Sequence, residues 1–176
     1  MKVIFLDFGG VLYTAHHDSR ENIKEKIGIL AKICQDNNCK VVIISLDRDL
    51  MDVNSLTSPY EFINTILVAL KEKKVECVGK TSPVIKNDEN KHSSKIEEIN
   101  MYLEMHPEIE SFCIICDDLS LGNVEDDKYN LYGHLIRTVN YSRYDWFEGL
   151  LRSHGEEVRR IMKMENRTKK LALKKQ

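Results

Sequence analysis

No apolar run in these 176 residues is long enough to cross a bilayer, and no signal peptide stands at the front. Those two gaps predict a soluble, cytoplasmic chain, working in its own cell or in a host cell if it is translocated. Cysteine is sparse and odd in number: Cys34, Cys39, Cys77, Cys113 and Cys116 fall on or beside apolar segments. An odd count argues against a disulfide framework, and none of the spacings completes a zinc site. Cys113 and Cys116 match a CxxC pattern, but inside a strand-like run, where side chains three apart point to opposite faces. Core thiols in a reducing compartment follow from that. Internal repeats are absent as well.

The length suits one domain with a sizeable core. Charge is nearly balanced, 26 Lys+Arg against 28 Asp+Glu, yet unevenly spread. Arg159 to Gln176 holds eight basic residues and one acid, Glu165. We therefore divide the chain into a folded body, 1–158, and a basic helix end or linker, 159–176. That end suits a membrane surface or a further domain. The acidic body makes nucleic acid the less favoured partner.

Strand-like runs (Val3–Leu6, Lys40–Ile44, Val75–Val78, Phe112–Cys116, His134–Val139) alternate with helix-like stretches at about 20–36, 60–73 and 95–105, and a last one from about 143 onward. Asp36-Asn37-Asn38 punctuates the first helix, Pro59 suits the start of the second, and Pro107 stops the third. Ser82 to Ser94 reads as an exposed loop. The alternation predicts an α/β three-layer sandwich, with helices on both faces of a mainly parallel five-stranded sheet.

In such sheets the site lies beyond the carboxyl ends of the strands. Asp7 follows the first strand, Ser45 the second, Gly79 and Lys80 the third, and Asp117-Asp118 the fourth. A carboxylate where a buried strand ends needs a partner, such as a metal or a ring of donors. Asp7 and Asp117 can share a hard cation; Mg²⁺ takes one or two protein carboxylates and keeps water and phosphate as its other ligands. Asp7 can then attack phosphorus, Ser45 can hydrogen-bond a phosphoryl oxygen, and a lysine can neutralise the developing charge. Lys95 and Lys80 compete for that last role. Taken singly, each residue has a plainer reading: a turn aspartate, a capping pair, a strand-end serine, a surface lysine.

Taken in order, they resemble the four motifs of the haloacid dehalogenase (HAD) phosphohydrolases over roughly residues 1–140. Asp7-Phe8-Gly9-Gly10-Val11-Leu12 is similar to the first motif, and the apolar strand ending in Ser45 to the second. Lys95, 22 residues before the acidic pair, is similar to the third, and Ile114-Ile115-Cys116-Asp117-Asp118 to the fourth. Lys95-Ile96-Glu97-Glu98-Ile99, His106-Pro107-Glu108 and His134-Leu135-Ile136-Arg137-Thr138 resemble HAD domains associated with nucleic-acid repair proteins. The resemblance implies a HAD-like catalytic domain over 1–158 with a Rossmann-like sheet and no large cap, a nucleophilic Asp7, and a Mg²⁺ held by Asp7, the Gly9 carbonyl, Asp117 and Asp118. Gly10, Ser45 and Lys80 or Lys95 would contact the phosphate.

One departure from the pattern shapes the function. The residue two after the nucleophile is usually a second aspartate, which protonates the leaving oxygen and then activates water. Gly9 keeps the carbonyl and lacks the acid. General acid–base help is worth about 10²- to 10⁴-fold. Its loss weighs on serine and sugar esters, and far less on a tyrosine ester, whose phenol leaves easily with a pKa near ~10. Tyr13, His16 and His17 stand just downstream as substitute donors. Ser45 follows Tyr13 by only 32 positions, which leaves no room for a large cap; an open site suits a phosphate carried on a macromolecule.

Protein phosphotyrosine answers both demands. A nucleic-acid end-processing phosphatase is the second reading, although Tyr60, Tyr102, Tyr129 and Tyr132 form no evident stacking row. A catalytically silent phospho-binding module is the third. Trp146 is expected to anchor the last helix.

Overall fold

Val3, Ile4, Phe5 and Leu6 have no exposed surface, which a strand achieves only when both faces of its sheet are covered. The computed structural model describes residues 1–14, 17–83, 94–117, 128–141 and 146–164. Five strands form one parallel sheet: Lys2–Leu6 (β1), Lys40–Ile43 (β2), Cys77–Lys80 (β3), Ser111–Cys116 (β4) and Leu135–Arg137 (β5). The order is β3-β2-β1-β4-β5, so the strand that precedes Asp7 is central.

Alternation along the strands sorts side chains into two cores. Ile4, Leu6, Val41, Ile43, Cys113 and Ile115 face one side, under the helices Arg20–Asn37 (α1), Glu61–Glu72 (α2) and His154–Met162 (α4). Val3, Phe5, Val42, Ile114 and Cys116 face the other, under the helix Lys95–Met105 (α3). Cys113 and Cys116 thus point to opposite faces, and all five cysteines are free thiols. Each fully buried Ile or Leu contributes roughly 1.5–3 kcal/mol, so burial on both faces holds the sheet edge that carries the polar residues.

Local signals set the ends of the helices. Asn38, left-handed at φ 50°, closes α1 by donating its N–H to Gln35 O and Cys34 O. Ser94 and Glu97 form a reciprocal capping box at the start of α3, which ends at Met105, two residues before Pro107.

Three expectations shift. The third strand begins at Cys77, because Lys74 is left-handed at φ 57° and Val75 donates to Leu70 O in the wrap-up of α2. Gly79 and Lys80 therefore lie within β3. His134 belongs to a 3₁₀ turn, Leu131–His134, and β5 keeps three residues. The helix expected from about 143 starts only at His154, since Trp146–Gly149 (β7) pairs antiparallel with Val139–Tyr141 (β6). Trp146 is thus a strand residue. Gly149, at φ 54°, ends that strand, and Leu150 N donates to Val11 O at 2.9 Å.

The boundary drawn at 158 falls inside α4, whose Val158, Ile161 and Met162 are buried in the first core. Ser111 Oγ donates to Met162 O at 3.2 Å. Residues 165–176, most of the lysine-rich loop, His16 and Asp118 lie outside the described residues. Among the described residues, no helix is long and apolar enough to cross a membrane.

Candidate active site

Asp7 leaves β1 at the carboxyl edge, its N–H still paired with Ile115 O at 3.0 Å. The chain then coils tightly: Phe8 O accepts from Val11 N, Leu12 N and Tyr13 N, and Gly10 N donates to Tyr13 O at 2.8 Å. Gly10 is left-handed at φ 70°. A Cβ there would lie 2.0 Å from Asp117 Oδ2, so the glycine serves both the turn and the close approach of the carboxylate ending β4. Thr138 Oγ1 donates to Gly10 O at 2.8 Å, and Arg137 Nε to Asp117 O at 2.9 Å, fixing both loops from β5. Gly10→Ala is expected to cost roughly 1–2 kcal/mol from its backbone angle alone and to push Asp117 aside. Denaturant unfolding reads the first effect, and cation affinity the second.

Asp7 is buried and fully engaged. Phe8 N donates to Oδ1 at 2.8 Å. Lys95 Nζ contacts Oδ2 directly, and Cys116 Sγ lies 3.2 Å from that oxygen and 3.5 Å from the lysine nitrogen. Burial pushes the Asp7 carboxyl above its usual range, against the pull of Lys95 and the donors upon it. Burial, the largest single influence, disfavours the Lys95 ammonium, but Asp7 and Cys116 together outweigh it and hold the amine above its ordinary value. The first residue of α3 thus places a positive charge on the carboxylate that follows β1, 88 positions away. Oxygen atoms of Asp7 and Asp117 and the sulfur of Cys116 all lie within 4.8 Å of one another. Two carboxylates facing each other over a side-chain-free Gly10 fit a hard dication; the sulfur is a donor such an ion does not seek.

Ser45 stands one strand away. Ile44 N donates to Leu6 O at 2.9 Å, so Asp7 and Ser45 leave the sheet at the same edge. Ser45 caps the 3₁₀ turn Leu46–Leu50, and Asp47 in that turn accepts from Tyr13 Oη at 2.8 Å. Burial and Asp47 drive the Tyr13 phenol well above its ordinary range. Its proton is therefore held by Asp47 and poorly available to a leaving group.

Lys80 is placed differently from Lys95. Its ammonium donates to Arg48 O at 2.8 Å and Met51 O at 2.9 Å, which ties down the segment after Ser45. Behind it, Arg48 donates to Ser45 O at 3.0 Å and to Glu98 Oε1 at 2.8 Å, while Thr81 Oγ1 donates to Glu98 Oε2 at 3.2 Å. With side chains only 5% and 4% exposed, this pair joins the Ser45 turn to the helix that carries Lys95. Glu98→Leu, which strands the arginine, is expected to cost about 3–5 kcal/mol in urea unfolding, with much of it recovered in Arg48→Met/Glu98→Leu.

Asp7, Lys95 and Asp117 come together, Ser45 follows the end of the neighbouring strand, and Gly9 is partly buried in the turn after Asp7. Sequence reading missed Cys116, Asp47 and the Arg48–Glu98 pair. Position could have exposed the first two: Cys116 is the last residue of a strand ending in the acidic pair, and Asp47 stands two residues past Ser45. Comparison with curated proteins gave no match, and none was found among solved structures. Residues 3–142 match the family model described as the HAD domain in Swiss Army Knife RNA repair proteins, and the chain belongs to that family.

Proposed function

We propose that this protein is a Mg²⁺-dependent phosphatase using Asp7 as nucleophile on a macromolecular phosphoester, with protein phosphotyrosine as its substrate. The observation that carries it is the pairing of Asp7 with Lys95, beside Asp117, next to a position 9 that has no side chain. A carboxylate oxygen of Asp7 bonds to phosphorus as the phosphorus–ester bond breaks, and the leaving phenolate carries off the electron pair. Water then attacks the aspartyl-phosphate, giving inorganic phosphate and the free carboxylate. Lys95 balances charge on the phosphoryl oxygens, and Ser45 would donate to one of them. Asp7 and Asp117, with Asp118 and the Gly9 carbonyl as further donors, would hold the Mg²⁺, which screens the dianion from the carboxylates.

With Tyr13 committed to Asp47, that hydroxyl is a poor acid for an alkyl leaving group. That favours an aryl ester. Apolar surface stands beside the site: Leu46, directly after Ser45, is 78% exposed. Such a surface suits a protein substrate better than a free metabolite.

The family description supports a second reading, removal of phosphate from RNA ends. Against it, Tyr102 stacks on His106, and Tyr129 and Tyr132 pack on the second core, which leaves few rings for bases among the described side chains. One panel separates the readings: phosphotyrosine and phosphoserine peptides and oligoribonucleotides with a 3′- or 5′-phosphate, all with Mg²⁺. Turnover of the tyrosine ester at least ~10²-fold above the alkyl esters is expected. Faster turnover of an RNA end would put the second reading first.

A further inference from the structure

The donor set at Asp7 is unsuited to a hard ion in one respect. Cys116 Sγ faces the site, 3.2 Å from Asp7 Oδ2, while Cys113, three residues back, is buried in the opposite core. The Lys95 ammonium contacts both that sulfur and that oxygen, and the thiol is within hydrogen-bond reach of the same oxygen. A positive charge is therefore accommodated here, and the atoms it touches include one hard and one soft donor.

We propose that the cation site has a sulfur ligand, Cys116, and that it captures thiophilic dications, of the zinc and cadmium class, in a form that blocks the nucleophile. This rests on the reading that Asp7 and Asp117 hold the cation. A hard ion has no use for the thiol and is satisfied by carboxylate oxygens, water and phosphate, so Lys95 stays on Asp7. A thiophilic ion gains a metal–sulfur bond, the thiol proton passing to solvent. To take Cys116 and Asp7 Oδ2 together it must displace the ammonium. The result is a nucleophile capped by metal, with its charge-neutralising lysine dislodged. The protein would sort divalent ions by softness: one class supports turnover and the other stops it.

The test is titration of the full chain with Cd²⁺, followed by sulfur-to-metal charge-transfer absorption in the ultraviolet. One equivalent is expected to produce the band in the wild type. Cys116→Ser and Cys116→Ala, each checked for folding by circular dichroism, should lose that equivalent, and Asp117→Asn should weaken it at least about tenfold. Lys95→Met should bind Cd²⁺ more tightly, because the competing ammonium is gone. Inhibition of Mg²⁺-supported turnover by Cd²⁺ should weaken at least about tenfold in Cys116→Ser.

A band that survives in both Cys116 variants, carried by Cys34, Cys39, Cys77 or Cys113, would overturn the proposal. So would a Lys95→Met protein that binds Cd²⁺ no better than wild type. Mg²⁺-supported turnover without a Cys116-dependent band defeats this inference alone. If neither ion binds in a way that depends on Asp117, the cation site itself fails.

Discussion

Asp7→Asn is expected to lower kcat on the order of 10⁴-fold or more while leaving the protein folded and able to bind inorganic phosphate. Asparagine keeps the shape of aspartate and can still accept from Phe8 N, but its amide has no lone pair competent to displace an ester from phosphorus. Two effects on stability oppose each other. Burial raises the Asp7 carboxyl, so a neutral side chain is cheaper to enclose. Against that, Lys95 loses the anion that holds its ammonium. Phosphate affinity should not fall, because the charge that repels the dianion has gone and the lysine remains. Rapid-quench kinetics on a phosphotyrosine peptide, with a phosphate titration and a urea melt, separate these effects. A variant that keeps a tenth of wild-type turnover would remove Asp7 from the mechanism.

Gly9→Asp should act in the opposite direction. A Cβ at position 9 meets no atom within 4 Å, and the glycine does not need a left-handed backbone, so the side chain enters without strain. It would supply the acid that the first motif lacks, able to protonate an alkoxide as it leaves and then to activate water. The expected gain is about 10²- to 10⁴-fold in kcat on phosphoserine or a sugar phosphate, with a much smaller change on phosphotyrosine. The ratio of the two rates is the readout, since a general change in folding or binding moves both. No gain on either alkyl ester would mean that position 9 does not face the leaving group.

The contrast between positions 9 and 10 shows what could be read from the chain. Two adjacent glycines look alike in sequence. One is sterically obligatory, enclosed by Asp117; the other is open. Only the packing of β4 beside β1 distinguishes them, and that contact spans more than a hundred residues. The parallel sheet, by contrast, was legible, because apolar runs of the right length alternate with helical periodicity and burial acts on each run separately. The β6–β7 pair was not legible. Trp146 and Phe147 suit a helix face as well as a strand, and antiparallel pairing with a segment several residues earlier leaves no local mark. Lys80 and Lys95 illustrate the same limit. Both stand near strand or helix ends, and the choice of backbone carbonyls for one and a carboxylate for the other is a tertiary outcome.

The matched family region ends at 142, but the cooperative unit does not. Leu150 is hydrogen-bonded to the loop after Asp7, and Val158, Ile161 and Met162 fill the core against α1. What is inherited and what must fold together therefore have different ends. A chain cut at the inherited boundary would keep every candidate catalytic side chain and expose the apolar floor beneath them. Its failure would be one of solubility before it was one of chemistry. The stretch after the match acts as a molecular clasp: its apolar face closes the first core, and a change there would alter the rigidity of the loop after Asp7 without touching the loop itself.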